Sequence, residues 1–495
     1  MPMHSRGPAG TLRRVANSSS SSTSKRLCRR ERHGSRRSNA SSNSPNGSRL
    51  SRSVTSFDRQ SAITRSATVT DIGTATAQPD HRMQWQPPPR PDWVQAVNEE
   101  GDCMDIRGVV PLDERSLLEA AKRNTGLEDF GADDWREPFR HFIRALEDEA
   151  ELNLVGRLRT RSDVLVLLEA KLRIEDTYKR HPEINDERII EPIIIVGQGR
   201  SGTSLLQNVL AAHPDNGTLM HWEMMFPCPP PEAATYRTDP RIEKANKLVG
   251  QWNRVTPTMP SMHELAGDMP FEDSAMMAIN FMAPTWLDCF GQVPSYDAYI
   301  FAQDTGPAFQ WHQRVLKLLQ WRNPRKRWVL KDPMHLDRMP DLLRVYPDAK
   351  FVWPHRDPTR ALASLVSIIG TIQWSRSDHP FNGVSLEYMT DPNISAVRFA
   401  AVINQIEKGV IPSNQIYNVL YKDLVGDVVG TVEDMYRHFG IELTEEGRKA
   451  MSQYMIDNPR DSRPPHRFNF GSSDVVAHAR QALQDYQDYF GIPIE

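Results

Sequence analysis

Four cysteines in 495 residues are too few for a disulfide framework. Cys28, Cys103, Cys228 and Cys289 are scattered, with no C-x-x-C pair and no histidine at metal-ligand spacing, so isolated reduced thiols are expected and no structural zinc. Nowhere does an unbroken apolar run reach the roughly 18 residues needed to cross a bilayer, so no membrane-spanning segment is expected. No repeat of fixed period is visible, which argues against a solenoid or propeller. Excess charge is lacking too: the net charge is −3, with 39% hydrophobic and 25% charged residues, the balance of an ordinary soluble globular chain with room for one large or two smaller domains.

That near-neutrality conceals an asymmetry. Residues 1–80 hold 14 Lys and Arg against 4 Asp and Glu, a net of +10, and the remainder holds 46 against 59, a net of −13. The first stretch is Arg- and Ser-rich and poor in large apolar residues, so a disordered tail is expected. Its composition also fits an organellar transit peptide, which leaves two localisations open, cytoplasmic or mitochondrial/plastid. Its basic residues have almost no aromatics between them and the rest of the chain is acidic, so no nucleic-acid partner is expected. A proline-rich linker, Pro87-Pro-Pro-Arg-Pro91, closes this tail, giving a first region of residues 1–90. Residues 91–188 read as a helical cap: Phe139, Phe142, Ile143 and Leu146 recur at helix spacing, and Ser162-Asp163 is suited to begin another helix carrying Leu165, Leu168 and Leu172.

Residues 189–495 change character. The β-branched run Ile189-Ile-Glu-Pro-Ile-Ile-Ile-Val196 suits a strand buried on both faces, and a glycine loop and an amphipathic helix follow it. Trp328–Leu330, Lys350–Trp353 and Gln415–Leu420 read as further short buried strands, each followed by a helical segment. The fold class expected is α/β, a P-loop-type, mainly parallel sheet flanked by helices.

The loop Gly197-Gln-Gly-Arg-Ser-Gly-Thr-Ser204 places glycines where the backbone must turn and expose successive N–H groups, and it opens a helix whose N-terminal dipole attracts anions. Against the pattern G-x-x-x-x-G-K-[ST], Gly197 and Gly202 fit, but Thr203 stands in the lysine slot and the cation lies inside the loop as Arg200. A kinase or ATPase uses that lysine on the β- and γ-phosphates, so its absence lowers the triphosphate reading. In a second motif, Phe351-Val-Trp-Pro-His-Arg-Asp-Pro-Thr-Arg-Ala-Leu-Ala-Ser364, a strand runs into Asp357, suited to cap the next helix, and Pro358, suited to its first turn. Arg356 and Ser364 could flank a second phosphate over that helix start; standing alone, they would be a surface arginine and a packing serine.

Together the two motifs resemble the sulfotransferase family that uses 3′-phosphoadenosine 5′-phosphosulfate, in the branch of the protein-tyrosine sulfotransferases and uncharacterised relatives with W-E and K-x-P-x-H-L. The resemblance covers residues 190–440. It implies that Arg200, Ser201, Gly202, Thr203 and Ser204 bind the 5′-phosphosulfate and that Arg356 and Ser364 bind the 3′-phosphate. It also implies that Lys331, in Val329-Leu-Lys-Asp-Pro-Met-His-Leu336, assists the leaving phosphate and that Tyr421, in Leu420-Tyr-Lys-Asp-Leu424, contacts the adenine. The family's C-terminal R-x-G-x-x-G signature is missing; Arg467, within Arg463-Pro-Pro-His-Arg-Phe468, is the candidate for the extra cation.

The reaction so implied is in-line sulfuryl transfer to a hydroxyl acceptor, with no metal required and a glutamate or histidine taking the acceptor's proton. Glu223 is the first candidate base, near where the resembling branch places a catalytic glutamate, with a local offset of two residues. His335 is the second. The plain alternatives are an arginine-paired carboxylate and a helix-start hydrogen-bonder. Between the motifs lies a methionine-rich stretch, including Met276, Met277, Phe281 and Met282, that is either core or a pocket for a hydrophobic acceptor. Its acids Glu264, Asp268, Glu272 and Asp273 either orient an acceptor hydroxyl or form a solvated face. The competing functions are a P-loop kinase or ATPase and a non-catalytic nucleotide-binding module.

Overall fold

The computed structural model describes residues 81–381, 386–459, 462 and 465–495. The expected disordered tail, Cys28 and Arg463 lie outside these residues. Five strands form one sheet: β1 Ile193–Ile195, β2 Asn216–Thr218, β3 Arg327–Lys331, β4 Lys350–His355 and β5 Ile416–Leu420. Their order is β2-β3-β1-β4-β5, and every neighbouring pair is parallel.

Alternation along the strands explains why so apolar a sequence was needed. Ile193 and Ile195 pack with Val329, Val352, Leu206, Leu210 and Tyr436 in one buried cluster, whereas Ile194 joins Leu330, Phe351 and Trp353 in another. The strands expected from sequence are present with slightly different ends. β1 is shorter than its apolar run, since Pro192 can donate nothing to a ladder, although its carbonyl accepts from the Lys350 amide at 2.8 Å. β2, a three-residue Asn-Gly-Thr edge strand, was not foreseen.

The N-terminal helical region includes the helices Asp92–Gly101, Glu114–Thr125, Arg136–Asp148 and Leu154–Arg180. The last begins earlier than Ser162-Asp163: the Asn153 side chain accepts from the Gly156 amide at 2.8 Å and caps it, leaving Ser162-Asp163 in its interior. Phe139, Phe142, Leu168 and Leu172 of this region are buried in the same cluster as Ile194 and Leu330, so its core is continuous with that of the sheet. The described residues form one compact unit. Among the described residues, no helix is long and apolar enough to cross a membrane.

Candidate active site

The carboxyl ends of β1, β3 and β4 lie side by side, so the loops leaving them converge. In the loop after β1, Gly197, Arg200 and Gly202 have φ of 110°, 75° and 98°. Residues of positive φ in a short loop turn backbone N–H groups toward a concavity, a geometry suited to an anion. The Ser201 hydroxyl closes the loop by donating to the Gln198 carbonyl at 2.7 Å. The helix Thr203–Ala211 follows with Gly202 as its N-cap and no side-chain cap on its first amides. Thr203 is buried in its first turn and Ser204 is half-buried beside it.

The helix after β4, Pro358–Trp374, starts differently. Asp357 caps it by accepting from the Thr359 and Arg360 amides at 3.0 and 3.4 Å. An anion here must therefore be met by side chains. Two hydrogen bonds fasten those side chains to the first loop: Arg200 Nε donates to Ser364 Oγ at 3.0 Å, and Arg356 Nη1 donates to the Arg200 carbonyl at 3.1 Å. The Arg356 guanidinium lies 4.3 Å above the Tyr421 ring, and a methyl group on Gly202 would come within 2.9 Å of that same ring. Arg200, Gly202, Arg356, Ser364 and Tyr421 thus meet in one place.

Arg356 and Arg360 already hold an anionic partner. Both Arg356 Nε and Nη2 donate to the Glu495 carboxylate at 2.8 Å, and Arg360 Nε lies 3.3 Å from it. The segment around Arg467 also arrives here, but through its neighbour: His466 hydrogen-bonds Ser364 Oγ at 3.2 Å and Ser367 Oγ at 3.0 Å, whereas Arg467 is exposed. Burial, with Arg200 nearby, pushes the His466 pKa down to about 4 and keeps the ring neutral.

At the end of β3, Lys331 is buried and paired with Glu272. The carbonyl of Lys331 accepts from the Asp273 amide at 3.3 Å, and Leu219, just beyond β2, accepts from the Phe271 amide at 2.9 Å, so residues 271–273 are laid across the strand ends. Burial works to raise the Glu272 pKa, but Lys331 and His263 outweigh it and hold it at about 2. Asp273 Oδ2 receives two imidazoles, His335 Nε2 at 2.6 Å and His312 Nε2 at 2.9 Å, and His312 Nδ1 meets Tyr346 Oη at 2.7 Å. Burial opposes ionisation of Asp273, yet the two histidines keep its pKa well below the usual carboxylate range, and Asp273 in turn raises that of His335. These three buried side chains are of metal-ligating types within 4.8 Å of one another, and their mutual hydrogen bonds are sufficient reason for the cluster. His335 also stands in the wall of a small apolar pocket with Met277, Met282, Ile300 and Phe309.

Glu223 has a different set of partners. It is fully buried, pairs with Arg325 and accepts from the Met220 amide at 2.9 Å, closing the start of its own helix, His221–Met225. Burial pushes its pKa up, against the pull of Arg325 and that amide. The arginine-paired alternative describes its surroundings. The contacts that spacing did not reveal are Glu272 on Lys331, Asp273 on His335, His466 on Ser364 and Glu495 on Arg356; only the cluster of acids in the methionine-rich stretch signalled the first two.

A glycine loop with an internal arginine follows β1, lacks the triphosphatase lysine and is tied by hydrogen bonds to Arg356 and Ser364 at the helix start after the neighbouring strand. The chain belongs to the sulfotransferase family, whose sequence model matches residues 192–445, and it is an enzyme of that class. It is 24% identical over 275 residues to the omega-hydroxy-beta-dihydromenaquinone-9 sulfotransferase Stf3 of Mycobacterium bovis and of Mycobacterium tuberculosis, an alignment covering 54% of this chain and 67% of each relative. Sulfotransferase STF1 of Mycobacterium tuberculosis H37Rv superposes with a TM-score of 0.65 at 28% identity, covering 75% of this chain and 98% of that one. Sulfotransferase STF9 of Mycobacterium avium shares the fold, with a TM-score of 0.65 at 24% identity over 77% and 97% of the two chains.

Proposed function

We propose that the enzyme transfers a sulfuryl group from 3′-phosphoadenosine 5′-phosphosulfate to a hydroxyl on an apolar acceptor. The observation that carries this reading is the pair of hydrogen bonds joining Arg200 to Ser364 and Arg356 to Arg200, which makes one site out of two anion-binding elements. A donor with a phosphate at each end of its ribose matches that pairing; a triphosphate does not. The nest at Gly197–Ser204 and Lys331 would hold the 5′-phosphosulfate, with Arg356 and Ser364 on the 3′-phosphate and the Tyr421 ring beside the adenine. Arg467 is near enough in sequence to His466 to add a peripheral cation.

The acceptor class rests on two observations. The pocket beside His335 is walled by Met277, Met282, Ile300 and Phe309, and the named activity of the Stf3 relatives is on a menaquinone-derived alcohol. Charge developing on the bridging oxygen in the transition state calls for fixed donors, which Lys331 and the loop amides supply. No step of this scheme requires a metal. Of the two bases considered from sequence, Glu223 is committed to Arg325 and serves the fold. His335, oriented by Asp273, faces the acceptor pocket and holds the acceptor in place. The test is a screen of isoprenoid and long-chain alcohols, phenols, sugars and a tyrosine peptide with labelled phosphosulfate. Label is expected in the isoprenoid or long-chain alcohols; transfer only to sugars or to the peptide would contradict the acceptor class.

A further inference from the structure

Resting on that reading of the donor site, we propose that Glu272 is the base that deprotonates the acceptor, and that Lys331 restrains it until the donor binds. Three observations carry this. Glu272 is in contact with Lys331, the cation that reading assigns to the bridging oxygen, so its carboxylate would stand beside the group being transferred. It is reachable: its side chain is 22% exposed, against 0% for Glu223 and 3% for His335. It is also fixed, because the amides on either side, of Phe271 and Asp273, bond to Leu219 and Lys331.

Other titratable groups surround it. His263 Nε2 approaches Glu272 Oε2 at 4.0 Å, and His221, stacked on Phe271, belongs to the helix packed alongside. His221, Asp332 and Cys289 feel its charge, and Arg200 lies near enough to act on His263. In the resting enzyme the Lys331 ammonium makes the carboxylate a poor base. The phosphosulfate offers Lys331 a competing set of anionic oxygens. Once the ammonium turns to them, burial is opposed by less positive charge and Glu272 becomes more basic, at the moment when a base is wanted.

The step balances. The acceptor hydroxyl gives its proton to Glu272 and its oxygen bonds to sulfur. The bond from sulfur to the 5′-phosphate oxygen breaks, its electron pair stays on that oxygen, and Lys331 donates a hydrogen bond to it. The products are a sulfate ester, 3′-phosphoadenosine 5′-phosphate and a protonated Glu272, which returns its proton to water. His335, bound to Asp273 on the pocket side, is a positioning residue in this scheme.

The variants Glu272→Gln, Glu272→Asp and His335→Gln are compared for bisphosphate affinity by calorimetry and for kcat and KM with the best alcohol turned over by the wild type, farnesol being the first probe. Glu272→Gln is expected to bind the bisphosphate as tightly as wild type or more so, because Lys331 is no longer held by a carboxylate, and to lose about 10²- to 10⁴-fold in kcat. Glu272→Asp should recover part of that loss, and His335→Gln should raise KM more than it lowers kcat. A Glu272→Gln enzyme with kcat within threefold of wild type, or with tenfold weaker bisphosphate binding, would overturn the assignment, as would a hundredfold kcat loss confined to His335→Gln. Failure of the wild type itself to bind the bisphosphate would instead remove the donor-site reading on which the assignment rests.

Discussion

Arg200 sits at φ 75°, a left-handed conformation unusual for a residue with a Cβ, and two hydrogen bonds hold it there. With the cation inside the loop, one residue thus ties the loop to both Ser364 and Arg356. The Arg356 side, by contrast, is guarded by Glu495, whose carboxylate occupies the fork that the 3′-phosphate is expected to use. The pair is partly exposed, so its worth is modest, and Glu495→Gln should tighten bisphosphate binding about two- to fivefold by calorimetry. Unchanged or weaker binding would mean that the phosphate does not enter that fork. Glu223 obeys a different logic. Removing one partner of a buried ion pair leaves the other charge unpaired, so Glu223→Gln should cost about 3–5 kcal/mol in urea unfolding and leave kcat of the folded fraction within a few-fold of wild type. A collapse of kcat without loss of stability would restore Glu223 as the base.

At the scale of elements, the helix Leu154–Arg180 meets the segment just past the helix Pro358–Trp374 through a close approach that only glycine permits: a Cβ at Gly156 would lie 1.9 Å from the Arg376 carbonyl oxygen. Arg376 then reaches back to Thr160 and Asp163 at 3.0 and 2.6 Å. Gly156→Ala, helix-friendly by propensity, is therefore expected to lower thermal stability, at the upper end of the about 1–3 kcal/mol typical of overpacking. An unchanged or raised Tm would show that this joint yields. The elements nearest the site were the most legible in the sequence, because β1, β3 and β4 are apolar runs ending in loops with distinctive residues. Asp357 and Pro358 announced their helix by residue type alone. β2 was not legible, since Asn-Gly-Thr is held by pairing to β3 rather than by its own propensity. Nor were the partners of Lys331 and Ser364, because Glu272 and His466 lie 59 and 102 residues away and only the fold brings them together. The partner of Glu223 was hidden for the same reason: Arg325, which pairs with it, is likewise remote in sequence.

The whole molecule buries several imidazoles in neutral form, which makes it sensitive to acid. Burial pushes His221 down to about 4 and His355, enclosed by Tyr486, Asn418 and Phe490, down to about 3. Below the ordinary histidine value near 6.5 the unfolded chain takes up these protons and the folded one does not, so stability falls as pH drops from about 6.5 toward 4, by up to about 1.4 kcal/mol per pH unit for each group. Asp273 and Glu272, held low by their partners, add a further loss as pH falls through the carboxylate range. His335 acts in the opposite sense: its contribution is present below its unfolded pKa and fades as pH rises through its raised folded value. Unfolding free energy measured by urea at pH 7.0 and 5.0 should therefore drop on acidification, and an invariant value would contradict the buried neutral histidines. Everything proposed for the chemistry depends on the loop around Arg200 and the helix start around Arg356 being the two ends of one donor site. Calorimetric titration with 3′-phosphoadenosine 5′-phosphate in EDTA, beside ATP with magnesium, decides whether they are. Tight metal-free binding of the bisphosphate, weakened at least tenfold in both Arg200→Ala and Ser364→Ala, is the predicted result; preferential binding of magnesium-ATP would contradict it.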